Sequence, residues 1–166
     1  MNTGATALPI TFTMLGRNLQ NDDEDGDGLP DAWEMQYFGT TGYGPGQDND
    51  GDGVNNLLEC AFNLNPARPD VALLTPGTGT AGLPSVRLIG VGNDAHLAVE
   101  FVRRRGGLIT YAVQFWNLLD TAGWEPAVNA PTVTVIDANW ERVVVEDNVT
   151  MADASQRFGR VVVSKP

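Results

Sequence analysis

The chain has 166 residues, of which 42% are hydrophobic, and carries a formal net charge of −11. This size and composition predict a folded chain with its own core and exclude a disordered one. The acidity lies in residues 1–85, which hold twelve Asp and Glu against two Arg, whereas residues 86–166 hold nine acids against eight bases. Because nucleic acid and anionic lipid require a basic face, neither is an expected partner.

The cysteine content and the lengths of the apolar runs exclude further classes of protein. The single cysteine, Cys60, excludes an internal disulfide framework. No apolar run approaches the roughly 20 residues of a membrane-spanning helix, so no membrane span is predicted. Residues 1–15 lack the basic start and continuous apolar stretch of a signal peptide, and none is predicted there.

The first predicted element is an N-terminal strand within residues 1–21. Leu8, Ile10, Phe12 and Met14 alternate with Pro and Thr residues, the period-two pattern of a strand with one apolar face. Such a strand could pair with the chain's own sheet or insert at the sheet edge of a second copy. Self-assembly through this strand is therefore one expectation.

Residues 22–66 contain a duplicated acidic loop. The stretch DEDGDGLPDAWE, which begins at Asp23, recurs 25 positions later as DNDGDGVNNLLE, which begins at Asp48. Both copies match the pattern D-x-[DN]-x-[DN]-G-x5-E, in which alternate carboxylates on a tight loop face one centre. Glycine at the sixth position permits the sharp turn, and the final Glu reaches back from a following helix with both oxygens.

This pattern predicts two Ca²⁺ ions, one in each loop. Calcium takes roughly six to eight oxygen ligands, whereas magnesium prefers fewer protein ligands in strict octahedral geometry. The seventh position of each loop would contribute its backbone carbonyl. The predicted ligands are Asp23, Asp25, Asp27, Leu29, Asp31 and Glu34 in the first loop, and Asp48, Asp50, Asp52, Val54, Asn56 and Glu59 in the second.

Two details distinguish these loops from a paired EF-hand. Neither follows a helical pattern, and the eighth position, which bridges paired EF-hands through the backbone, holds Pro30 or Asn55. Proline has no N–H to donate, so a fixed structural site is expected and a calcium switch is not. Because Asn56 stands where the first loop has Asp31, the second site is expected to be the weaker.

The remaining chain is predicted to be short helices and strands. Helical patterns cover 30–38, ended by Gly39, and 56–64, ended by Asn65-Pro66. Residues 67–85 are rich in Pro, Gly and Thr and indicate a linker or draped loop. Period-two strand candidates follow at 84–91, 96–104, 108–117, 131–137, 141–147 and 157–166.

The expected fold class is therefore mainly β: an antiparallel, Ig-like β-sandwich over 86–166 with a small α-helical calcium-binding double-loop module over 22–66. The short strands and turn-rich spacing show no alternation of strands with helices. A parallel sheet with crossover helices is accordingly not predicted.

The duplicated segment also resembles a known family. DGDGLPDAWEMQYFG and DNDGDGVNNLLECAFNLNP are similar to the thrombospondin type 3 and dockerin-like (EF-hand-like loop) calcium-binding repeats of secreted bacterial proteins. LAVEFVRRR, TYAVQFWNLLDTAGWEP and QRFGRVVVS resemble the C-terminal β-rich domain that often follows such repeats in exported bacterial proteins. The resemblance implies calcium binding and a secreted, extracellular or cell-surface location.

Other side chains offer weaker indications of a site. Trp116, Trp124 and Trp140 could form a sugar-stacking platform or act as buried anchors. The run at 103–105 could bind an anion or be a solvated strand end. His96 has no Ser–His–Asp or Cys–His partner, and Cys60 is expected in the core. Among Glu100, Glu125, Glu141 and Glu146 nothing marks an acid pair, so no enzyme is predicted.

Two functional hypotheses follow. The first is an extracellular, calcium-stabilised structural or surface protein, with assembly into filaments by exchange of the N-terminal strand. The second is an accessory module of a larger secreted enzyme, which binds a carbohydrate or protein ligand. Assembly in the presence of calcium separates the first from the second, and loss of glycan binding on Trp→Ala substitution would favour the second.

Overall fold

The computed structural model describes residues 22–119, 123–154 and 156–165. Within these ranges the chain is mainly β, with two antiparallel sheets and two short helices, as predicted. The predicted N-terminal strand in residues 1–21 lies outside the described residues.

The two helices follow directly on the two acidic loops. Helix α1 spans Asp31–Tyr37 and helix α2 spans Asn56–Phe62. Gly39, with a φ of 71°, follows α1 as predicted. Helix α2 ends earlier than predicted, because Asn63 adopts the left-handed conformation at φ 60° and stops the helix before Asn65-Pro66. In the described part of the chain, neither seven-residue helix is long and apolar enough to cross a membrane.

Seven strands follow the helices. They are β1 Ser85–Ile89, β2 His96–Arg104, β3 Thr110–Trp116, β4 Glu125–Pro126, β5 Thr132–Val135, β6 Trp140–Thr150 and β7 Phe158–Ser164. Each predicted strand candidate overlaps one of these, although β6 extends beyond the predicted 141–147 at both ends, and the two-residue β4 was not predicted. The first sheet has the order β1-β2-β6-β5 and the second the order β4-β3-β7, with every pairing antiparallel.

The helices and both sheets share one buried core. Trp33 of α1 and Phe62 of α2 belong to the same cluster as Phe101 of β2 and Phe115 of β3. The Phe62 ring centroid lies 6.5 Å from that of Phe101 and 6.2 Å from that of Tyr111. The acidic loops are therefore attached, through their helices, to the core that the sheets enclose.

A draped loop over residues 67–84 connects α2 to the first sheet. Leu74 is buried within it, and the N–H of Gly82 donates to the carbonyl of Phe62 at 3.1 Å. The N–H of Gly77 donates to the buried carboxylate of Glu100 at 2.6 Å. These contacts hold the loop against both α2 and strand β2, so the path from the second acidic loop to the sheet is fixed.

Candidate metal centre

The two acidic loops have the same backbone geometry. In each, the first Asp accepts backbone N–H groups three and five residues ahead, at 2.8 and 2.9 Å for Asp23 and at 2.9 and 3.0 Å for Asp48. Gly28 and Gly53, at the sixth position, have φ values of 92° and 93°, which side-chain-bearing residues rarely adopt. The sequence duplication is therefore a structural duplication as well.

In the first loop, the carboxylates form two overlapping groups. Oxygens of Asp23, Asp25 and Asp27 lie within 4.8 Å of one another, and so do oxygens of Asp25, Asp31 and Glu34. All the predicted side-chain ligands of the first loop are thus brought together. Such mutual proximity of negative groups is unfavourable unless a cation or protons reduce the charge.

The second loop also has two overlapping groups of carboxylates, and one of them includes a residue from outside the loop. Oxygens of Asp48, Asp50 and Asp52 lie within 4.8 Å of one another, and those of Asp52, Glu59 and Asp70 form the second group. Asp70 lies outside the twelve-residue loop and was not predicted as a ligand. Asp70 follows Asp52 by 18 residues in the chain and reaches it only through the fold, so the loop sequence alone does not predict it.

Backbone hydrogen bonds hold Asp70 beside the second loop. Its N–H donates to the carboxylate of Asp52 at 3.2 Å. Its own carboxylate accepts the N–H of Asn65, at 3.3 Å for Oδ1 and 3.2 Å for Oδ2. Because backbone groups fix the residue from both sides, Asp70 is positioned to act as a further ligand.

The final Glu of each loop is buried without sufficient hydrogen bonds. Glu34 and Glu59 are both 0% exposed. Glu34 Oε1 accepts the N–H of Tyr43 at 3.3 Å, but its Oε2 has no partner, and neither oxygen of Glu59 has one. A buried carboxylate without partners is costly, so these oxygens require either a cation or a proton.

Within the described part of the chain, the buried side-chain oxygens without a hydrogen-bond partner all lie in the two loops. In addition to the glutamates, Asp50 Oδ2 and Asn56 Oδ1 are buried without a partner. The remaining buried side-chain atoms without a hydrogen bond in the described ranges are nitrogens of His96, Trp116 and Arg142, and the Arg142 Nε forms an ion pair with Glu100. Oxygen is the ligand atom of hard cations, and among the described residues the buried side-chain oxygens without a partner occur only where the sequence predicts such a cation.

The pKa values of both glutamates are raised by this burial and by the neighbouring carboxylates. Burial raises the pKa of Glu34 to about 7, with a further contribution from Asp27 and Asp25. Burial raises the pKa of Glu59 to about 8, with repulsion from Asp50 and Asp52 next in importance. Without a cation, Glu59 therefore favours the neutral form near pH 7, and Glu34 is about half protonated there.

The other predicted ligand positions are fixed by local contacts. Asn56 donates its side-chain N–H to the carbonyl of Gly44 at 3.0 Å, which leaves its Oδ1 unsatisfied. The side chains of Leu29 and Val54 are buried, which anchors each loop at the position whose carbonyl was predicted to bind metal. Asp31 Oδ1 accepts the N–H of Glu24 at 3.1 Å.

A lysine from the far end of the chain contacts the first loop. Lys165, which follows β7, donates from Nζ to the carbonyl of Asp27 at 2.7 Å. The pKa of Asp27 is raised, chiefly by burial, and the ammonium of Lys165 opposes that rise. The second loop is instead contacted by an acidic residue, Asp70.

The three tryptophans do not form a common platform, which was one of the two alternatives for them. Trp140 pairs with Arg104 across β2 and β6, and the N–H of Arg104 donates to the hydroxyl of Tyr111 at 3.4 Å. Trp116 lies five residues beyond Tyr111 on β3, roughly 16 Å away along a strand. Trp124 directly precedes Glu125, which pairs with Phe115, and so lies near the Trp116 end.

Other candidate residues are occupied by contacts within the protein. Glu100 is buried and forms ion pairs with Arg87 at 3.2 Å and Arg142 at 3.3 Å. Cys60 is fully buried, and burial raises the pKa of its thiol to about 12. These groups have a structural role in the core, as expected for Cys60.

Comparison with known proteins returned no similarity: no family model, no curated protein and no solved structure matches the chain.

Proposed function

We propose that the duplicated loops bind two Ca²⁺ ions as permanent structural sites. The observation that carries the proposal is the pair of fully buried glutamates, Glu34 and Glu59, whose unsatisfied oxygens lie among further carboxylates. A cation at each centre would replace the missing hydrogen bonds and offset the repulsion. The donor set consists entirely of oxygen and exceeds what magnesium usually takes from protein, which favours calcium.

The proposed role of the ions is to hold the N-terminal part of the chain on the β-sheets. Helices α1 and α2 have only seven residues each, which is too short for independent stability. They pack on the shared core, and their first turns carry Glu34 and Glu59. Calcium would therefore stabilise loop, helix and core together.

We also propose the family relationship that the sequence motifs suggest. We place the loops with thrombospondin type 3 and dockerin-like repeats, the sheets with Ig-like sandwiches, and the protein outside the cell. Extracellular calcium is abundant, which suits a site that stays filled. The support is the duplicated loop geometry and the antiparallel sheet order, and no enzymatic activity is proposed.

Assembly into filaments or surface layers remains part of this proposal. Strand β5 ends the first sheet, and Val133 and Val135 on it are exposed. Such an edge is a template for strand addition, and the apolar alternation in residues 1–21 has the matching period. Size-exclusion chromatography and electron microscopy in calcium test this part, and a strictly monomeric chain would contradict it.

Thermal unfolding with and without calcium tests the structural role. At a free calcium concentration about 100-fold above Kd, each site would contribute about 2.7 kcal/mol to the free energy of unfolding. Two sites would raise Tm by about 10–20 °C for a chain of this size. Calorimetry in calcium and in EDTA measures the difference, with magnesium as the control ion. An unchanged Tm in EDTA would contradict the proposal.

A further inference from the structure

A small polar cleft lies between helix α1 and the adjoining ends of β2 and β6. Its volume is about 220 Å³. The side chains that define its chemistry are Gln36, Tyr37, Asn63, Arg104, Asn139 and Trp140. None of them is a predicted ligand of the acidic loops, and the cleft mixes aromatic rings, amides and one guanidinium.

Arg104 is the charged group of the cleft. Its guanidinium lies 5.4 Å from the centre of the Trp140 ring, and Nη1 donates to the sulfur of Cys60 at 3.7 Å. Its neighbours Arg103 and Arg105 pair with Glu141, at 2.6 and 3.9 Å. Arg104 has no carboxylate partner within the described ranges, although the chain is strongly acidic. A planar guanidinium held in this way suits the two oxygens of a carboxylate.

Amide groups line the rest of the cleft. The side chains of Gln36 and Asn139 have no hydrogen-bond partner among the described residues, and Gln36 is exposed. Asn63 donates from Nδ2 to the carbonyl of Thr80 at 3.0 Å, which leaves its side-chain oxygen free to accept. Amides both donate and accept, as the hydroxyl groups of a sugar require.

We propose that this cleft binds one carboxylated sugar ring, such as a uronic acid at the end of a glycan. The carboxylate would pair with Arg104, the hydroxyls would bond to Gln36 and Asn139, and Trp140 would contact the apolar face of the ring. The cleft is smaller than the roughly 300–1,000 Å³ of drug-sized sites, so it suits a single ring. A long acidic polymer would be repelled by the net charge of −11.

Helix α1 links the cleft to the first acidic loop. Gln36 and Tyr37 lie on the same short helix as Glu34, the last predicted ligand of that loop. If calcium fixes Glu34, it also fixes the wall of the cleft and reduces the negative charge nearby. Binding of the sugar is therefore expected to tighten with calcium, and this coupling rests on the proposed calcium sites.

Titration of the calcium-loaded chain with a methyl glucuronide, followed by tryptophan fluorescence or NMR, tests the proposal. Methyl glucoside, which lacks the carboxylate, should bind at least tenfold more weakly. Arg104→Gln should lower glucuronide affinity by at least tenfold, and Gln36→Ala, on an exposed helix position, by a smaller factor. Arg160→Gln is the matched control, because Arg160 also stacks on a tryptophan, Trp124 at 4.2 Å, outside the cleft.

The outcomes separate this inference from the calcium proposal, because calcium affinity is measured on the same samples. Saturable glucuronide binding that is lost in Arg104→Gln and kept in Arg160→Gln supports the cleft. A chain that binds calcium but not glucuronide contradicts only the sugar site. Equal affinity for methyl glucoside, or stronger binding of an acidic peptide, also overturns it.

Discussion

The two acidic loops have nearly identical backbones but different neighbours. The first is contacted by Lys165 from the end of the chain, and the second by Asp70 from the draped loop. On sequence alone the second loop lacks one carboxylate, because Asn56 replaces Asp31. Asp70 restores that carboxylate, while Lys165 adds a positive charge to the first loop. The difference teaches that two loops of matching sequence pattern can acquire opposite charges from their tertiary neighbours, and under the calcium proposal these neighbours would alter the affinity of each site.

The largest expected effect comes from neutralising the last ligand of the second loop. Glu59→Gln should weaken calcium binding there by about 100-fold, because it removes a charged ligand that can bind through two oxygens. At pH 8 and above, where metal-free Glu59 ionises, the same change should raise Tm in EDTA, since it removes a buried, unsatisfied charge. Calorimetry in calcium and in EDTA tests whether the substitution lowers Tm with calcium and raises it without calcium.

Glu34→Gln in the first loop is the matched comparison for Glu59→Gln. Tyr43 already satisfies one oxygen of Glu34, so the gain in EDTA should be smaller. If Glu59→Gln lowered Tm equally with and without calcium, the change would reflect packing alone, and Glu59 would not be a ligand.

The second expected effect is a dependence of the metal-free protein on pH. The pKa values of Glu34 and Glu59 rise from about 4.5 to about 7 and about 8 on folding. The folded state therefore holds more protons than the unfolded state in this window, so stability falls as pH rises from about 5 to about 8. Unfolding of the desalted, metal-free chain across this range measures the slope.

With calcium bound, the dependence on pH should reverse. The ion requires ionised ligands, so calcium binding releases protons and weakens as pH falls below about 8. Calorimetric titrations in buffers of different ionisation enthalpy measure the released protons. A metal-free stability that rises with pH over this range would contradict the burial of unsatisfied carboxylates.

A third, intermediate effect is expected at Asp70. Asp70→Asn should lower calcium affinity at the second loop by about tenfold, because a carboxylate of the group is lost. The measurement uses a Glu34→Gln background, in which only the second loop keeps all its ligands. Asp94→Asn, which removes the same charge at an exposed position away from both loops, is the control. Equal effects of the two changes would remove Asp70 from the site.

The smallest effect is expected at Lys165. Lys165→Met should raise calcium affinity at the first loop, because the ammonium lies beside the carbonyl of Asp27. Lys165 is exposed, so the gain should not exceed about fivefold. Arg160→Met on β7 is the control for charge, and a loss of affinity in Lys165→Met would show that the lysine orders the loop instead.

Local patterns in the sequence predicted most of the fold. The acidic loops, both helices and six of the strands follow from glycine placement and apolar period, which act within a few residues. The end of α2 at Asn63 and the short β4 were missed, because a left-handed asparagine and a two-residue pairing leave little trace in the sequence.

The residues that contact the loops from elsewhere in the chain could not be predicted from the sequence. Asp70 and Lys165 reach the loops only because the chain folds back, and the separation of Trp140 from Trp116 depends on strand register. Spacing along the chain predicted the twelve ligand positions, and it contains no information on which distant residues complete each loop.

Calorimetric titration of the metal-free chain with calcium tests the central claim most directly. We expect two bound ions per chain, with one lost in Glu34→Gln and the other in Glu59→Gln. A chain that takes up no calcium at neutral pH, or whose stoichiometry is unchanged by either substitution, would contradict it.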